Sequence, residues 1–134
     1  MKISFDFDGV ISGIDNPTDM YAISEEPREG MVELFKDLKA VGHDLNITSS
    51  RQKPFVPIVL AWLEHHDLNK YFTHVKMECF QKGIHCANMG YDIHIDDVLA
   101  YVDQFKNIEC LFIHFGINSK DIPNANALRK VLGL

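Results

Sequence analysis

The stretch Lys2-Ile3-Ser4-Phe5-Asp6-Phe7-Asp8-Gly9-Val10 constrains this chain more than any other. Its alternation predicts a strand over Met1–Phe7, and residues two apart on a strand share a face. The run closes on aspartates at positions 6 and 8 followed by glycine, so two carboxylates converge where the strand breaks. A second apolar run, Tyr91-Asp92-Ile93-His94-Ile95, closes on Asp96-Asp97. Two acidic strand ends in one small chain point to a hard-cation site and to phosphate chemistry.

Between and beyond these runs the pattern alternates. A polar stretch over Gly9–Pro27 reads as a flap or small hairpin. A helix follows over Arg28–Val41, with an apolar stripe of Val32, Leu34, Phe35, Leu38 and Val41 and Gly42 to end it. Asp44–Thr48 is a second strand, running into Ser49-Ser50-Arg51. Pro54 and Pro57 open a helix that stops near His66-Asp67. Tyr71–Met77 reads as a third strand, Gly83–Met89 as a short helical turn, and Tyr91–Asp96 as a fourth strand. Val98–Phe105 reads as a helix, Cys110–Phe115 as a fifth strand, and Ala125–Leu132 as a closing helix. Such alternation predicts an α/β fold: a three-layer, Rossmann-like domain around a central, mainly parallel five-stranded sheet. Ligands of these sheets bind outside the carboxyl ends of the strands, where Asp6, Asp8, Ser49, Asp96 and Asp97 all fall.

With 134 residues and 46% hydrophobic content, the chain reads as one domain over 1–134. A net charge of -6 excludes a broad basic nucleic-acid surface, while leaving a nucleotide or a phosphorylated end open as substrate. No apolar run approaches the about 20 residues that span a bilayer, and the opening residues lack a secretory pattern. Three cysteines, Cys79, Cys86 and Cys110, are an odd set, read as reduced thiols in a cytoplasmic protein. Cys79, His85 and Cys86 lack the spacing and the fourth ligand of a zinc site.

Phosphoryl transfer needs a nucleophile, a proton donor for the leaving oxygen, and cations, amides or hydroxyls around the transferred group. With those roles stated, the chain resembles the haloacid dehalogenase superfamily of phosphohydrolases along most of its length. Asp6-Phe7-Asp8-Gly9-Val10 resembles the family's first motif, which implies Asp6 as nucleophile and metal ligand. It also implies Asp8 as general acid/base, lending a backbone carbonyl to the metal. Ile47-Thr48-Ser49-Ser50-Arg51 resembles the second motif, with Ser49 as its hydroxyl and Thr48 as the alternative; Ser49, Ser50 and Gly9 are the expected phosphate contacts. Lys82, before a short helix, resembles the third motif, with Lys76 as competitor. Asp96-Asp97 resembles the fourth, with both as metal ligands. The resemblance implies Mg²⁺ as cofactor, a phosphorylated substrate and an aspartyl-phosphate intermediate.

The 40 residues between Asp8 and Ser49 leave no room for a cap domain, so the flap is the only cover expected; its Met20 and Tyr21 read first as packing over the sheet, with substrate contact as the alternative. Water exclusion then falls to the substrate or to an oligomeric neighbour. His94 lies inside its strand and reads as a hydrogen-bonded core histidine. His65-His66 reads as a helix end, and Trp62, Phe112 and Phe115 as core aromatics. A phosphate- or partner-binding domain without turnover is the alternative, against which the presence of both Asp6 and Asp8 counts. A receiver domain fits poorly, because the adjacent acidic pair comes late in the chain.

Overall fold

In the computed structural model, residues 1–13 and 23–134 are described; the middle of the expected flap, with Met20 and Tyr21, lies outside them. The strands are β1 (Lys2–Phe5), β2 (Asp44–Thr48), β3 (Phe72–Lys76), β4 (Ile93–Asp96) and β5 (Leu111–His114). They form one sheet in the order β3-β2-β1-β4-β5, with every neighbouring pair parallel. The helices are α1 (Met31–Ala40), α2 (Val56–His65), α3 (Lys82–Met89) and α4 (Ala125–Val131). The chain moves from β1 outward to β2 and β3, then returns past β1 to β4 and β5. Right-handed crossovers in opposite directions put α1 and α2 on one face and α3 on the other. The reversal beside β1 opens the crevice where ligands of such sheets bind.

Alternation along the strands gives the faces different chemistry. Ile3 and Phe5 share one face with Leu45, Ile47, Ile93, Ile95 and Ile113, and the larger apolar core forms there. Met31, Leu34, Phe35 and Leu38 of α1 are buried against it, with the Phe35 ring edge-on to Phe5 at 5.2 Å and to Phe72 at 5.1 Å. The other face carries Ser4, Asn46, Thr48, His94 and Asp96. Over it a smaller cluster of Cys86, Tyr91, Phe105 and Cys110 packs beneath α3. Among the described residues, no cap domain stands over the carboxyl ends.

Two expectations change. Val41 is not part of the α1 stripe: it caps the helix and is 62% exposed, because the backbone turns at Gly42 (φ +93°). The segment Leu99–Phe105 is a 3₁₀ helix rather than an α-helix. In 3₁₀ winding, residues three apart eclipse, so Tyr101 and Gln104 both face α3. Gln104 accepts from the Gly83 amide (3.0 Å) and donates to the Phe80 carbonyl (3.0 Å), holding the start of α3 in place.

Candidate active site

Strand pairing of β1 ends at Phe5, and one further bond, from the Asp6 amide to the Ile95 carbonyl (2.8 Å), fixes Asp6 at the sheet's edge. The Phe7 carbonyl then accepts from the amides of Val10, Ile11 and Ser12, which folds the chain sharply over the strand tip. Gly9 sits in that turn at φ +76°, a conformation that suits glycine. Its carbonyl accepts from Arg28 Nη1, and Trp62 Nε1 donates to the Ser24 carbonyl where the chain returns.

Asp6, Asp96 and Asp97 come together at this edge. Each offers a carboxylate oxygen, and the three oxygens lie within 4.8 Å of one another. Ligand oxygens around Mg²⁺ sit at about 2.1 Å from the ion, so neighbouring oxygens fall about 3 to 4 Å apart and the trio fits such an ion. Among the described residues no comparable cluster forms from Cys79, His85 and Cys86; the Cys86 thiol is instead hydrogen-bonded with Cys110, which with burial pushes it up.

Lys82, at the first position of α3, is fully buried between two of these carboxylates. Its Nζ lies 2.8 Å from Asp96 Oδ2 and 3.2 Å from Asp6 Oδ1, with the Tyr101 ring over it at 4.4 Å. Lys76 stands exposed at the end of β3. Burial works against the Lys82 charge, but Asp6 and Asp96 outweigh it and hold its pKa above the ordinary range. For Asp96, burial is outweighed by the hydrogen bond from His94 and by Lys82, which hold the carboxyl down at about 2. Asp6 goes the other way: burial raises it well above the usual carboxylate range against the pull of Lys82, and Asp96 and Asp97 raise it further.

Asp8 does not join the trio by its side chain. Arg51 grips it with two parallel bonds, Nε to Oδ2 at 2.9 Å and Nη2 to Oδ1 at 2.8 Å. Sequence reasoning used Arg51 only as a marker of the second motif; the structure makes it a fully buried clamp. Ser49 is buried beside it and accepts from the Arg51 amide (3.1 Å), while Ser50 is half-buried. Thr48 turns into the sheet, its hydroxyl 2.7 Å from Ser4 Oγ. His94 is buried, as expected of a core histidine, yet it also reaches the site: Nε2 is 2.8 Å from Asp96 Oδ2 and Nδ1 is 3.0 Å from Ser4 Oγ.

The sequence matches no family model, and no curated protein matches it. Solved structures do match. A haloacid dehalogenase-like family hydrolase from Streptococcus pneumoniae is similar over 96% of this chain and 89% of its own, at 11% identity and a TM-score of 0.62. The fold is that of the haloacid dehalogenase hydrolases. A HAD-superfamily hydrolase from Ehrlichia chaffeensis shares it at 18% identity and a TM-score of 0.60; the match covers 79% of this chain but 57% of that one. A Vibrio cholerae protein provisionally described as a 3-deoxy-D-manno-octulosonate 8-phosphate phosphatase shares it at 15% identity and a TM-score of 0.55, over 97% of this chain and 79% of its own. In this haloacid dehalogenase fold, the acidic trio and Lys82 occupy the carboxyl edge of β1 and β4, beside the topological reversal.

Proposed function

We propose that this protein is a Mg²⁺-dependent phosphatase that hydrolyses a phosphate monoester through an aspartyl-phosphate on Asp6. The observation that carries the reading is the convergence of Asp6, Asp96 and Asp97 at the sheet's edge, with Lys82 buried between Asp6 and Asp96. Asp6, Asp96 and Asp97 would hold Mg²⁺ by side chains, with the Asp8 backbone carbonyl as a further ligand. The ion would supply positive charge for the phosphoryl oxygens.

Asp6 Oδ1 is occupied by the Phe7 amide (2.7 Å) and lies near Lys82, which leaves Oδ2 to attack phosphorus. The new P–O bond forms as the bond to the leaving oxygen breaks, and that oxygen takes its proton from Asp8, whose carboxyl must first leave the Arg51 clamp to serve as the acid. Water then attacks the same phosphorus, giving its proton to Asp8 and releasing Asp6 and inorganic phosphate. Lys82, the Ser49 and Ser50 hydroxyls and the Gly9 amide surround the transferred group in this scheme. Substrates of this class are phosphorylated small molecules or phosphorylated ends of macromolecules. No described helix is long and apolar enough to cross a membrane, and the free, buried Cys79, Cys86 and Cys110 accord with action in the cytoplasm.

The test is phosphate release from an aryl phosphate, with and without Mg²⁺. Wild type should show metal-dependent release, and Asp6→Asn should lower it by roughly a thousandfold or more while remaining folded. A wild-type rate in Asp6→Asn would remove Asp6 as nucleophile. Absence of release from any phosphomonoester by Mg²⁺-loaded wild type would favour a phosphate-binding protein instead.

A further inference from the structure

We propose that His94 is a positioning residue that makes the acidic cluster prefer a small, octahedral cation over a larger one; this rests on the metal site of the reading above. A carboxylate offers about four lone-pair positions, and three of those on Asp96 are taken. Oδ2 accepts from Lys82 Nζ (2.8 Å) and from His94 Nε2 (2.8 Å), and Oδ1 accepts from the Val98 amide (3.0 Å). One position on Oδ1 remains, so Asp96 can meet a cation through a single oxygen. Mg²⁺ takes such monodentate ligands in near-ideal octahedra, whereas Ca²⁺ accepts carboxylates through one oxygen or two. The His94 bond, together with that of Lys82, fills Oδ2 and so denies the bidentate mode.

The histidine is built to keep that bond. A carboxylate only accepts, so Nε2 carries the hydrogen. Nδ1 meets Ser4 Oγ at 3.0 Å on the neighbouring strand, and Ser4 is itself tied to Thr48 Oγ1 at 2.7 Å. The Phe105 ring lies parallel to the imidazole at 5.3 Å, and Phe112 closes on it from 6.2 Å. His94 is 0% exposed and is held from three sides before any ion arrives.

Calorimetric titration of the intact protein with MgCl₂ and with CaCl₂, without substrate, tests this. His94→Phe should weaken Mg²⁺ binding about 10- to 100-fold, the range for lost outer-shell partners, and Ca²⁺ binding far less. His94→Gln, whose amide keeps a donor, should retain most of the wild-type preference. Equal weakening for both ions, or no change in a folded His94→Phe, overturns the proposal. If His94→Phe fails to fold, Ser4→Ala carries the test: removing the Nδ1 anchor should lower the Mg²⁺-over-Ca²⁺ preference, and an unchanged preference overturns it. Wild type binding neither ion would instead overturn the metal site itself, a separate outcome visible before any variant is made.

Discussion

The two faces of the sheet are made from alternate residues of the same strands, and they solve opposite problems. On the α1 side, Ile3, Phe5, Ile47 and Ile95 meet other apolar groups, and stability comes from area removed from water. On the α3 side, Ser4, Thr48, His94 and Asp96 are equally buried, so every polar atom needs a named partner. The first face tolerates exchange by volume and shape. On the second, losing a partner is costly, most of all around Asp96, because an unpaired buried charge costs more than the pair contributes. The difference shows where fold ends and site begins: at the strand tips, where the polar face emerges as Asp6, Asp96 and Asp97.

Substitutions on each face should separate along that line. Phe35→Ala removes a fully buried ring packed on Phe5 and Phe72 and should cost about 3–5 kcal/mol in urea denaturation. Its turnover per folded molecule should stay at the wild-type value; a fall in turnover would mean that the faces are mechanically coupled. Lys82→Met should cost a little less, about 3 kcal/mol, since Asp6 and Asp96 lose their shared cation. Unlike Phe35→Ala, it should also abolish most turnover, and intact activity would break the comparison.

The smallest expected effect is in acid, without metal. Asp96 is held at about 2 in the folded state, below an unfolded carboxyl near 4, so its contribution is complete above about pH 4 and lost as the pH falls toward 2. That loss is roughly 2 kcal/mol. Asp6 acts in the opposite sense: its raised pKa favours proton uptake by the folded state and offsets part of the loss. Urea midpoints between pH 5 and pH 2 should therefore fall more steeply in Asp6→Asn than in wild type and less steeply in Asp96→Asn. Indistinguishable slopes would remove these carboxyls as the source.

Much of this was legible in the residues, because it depends on period and position. The alternating runs of β1 and β4 give both the strands and the acidic tips, and Leu34, Phe35 and Leu38 give the buried stripe of α1. What stayed hidden depends on meetings across long separations. Nothing near Arg51 says that its guanidinium will close on Asp8, 43 residues earlier. His94 was readable as a core histidine, but its bond to Asp96 follows from ring orientation, which Ser4 and Phe105 set from other elements. Val41 fitted the helical period and still lies outside, since Gly42 bends the chain just beyond it. The 3₁₀ winding of Leu99–Phe105 was hidden for a similar reason, because its contacts with α3 are tertiary.

Gly83 carries no chemistry, yet a Cβ placed there would stand 2.2 Å from the Gln104 carbonyl oxygen. That oxygen is backbone, and Gln104 also holds the chain on either side of Lys82 through Phe80 and Gly83. Adding one methyl group would lift the first turn of α3 and carry the ammonium of its neighbour away from the carboxylates. Position 83 therefore has an alphabet of one letter. In a mutational survey scored by activity it would be indistinguishable from a reacting residue, although it touches nothing that reacts.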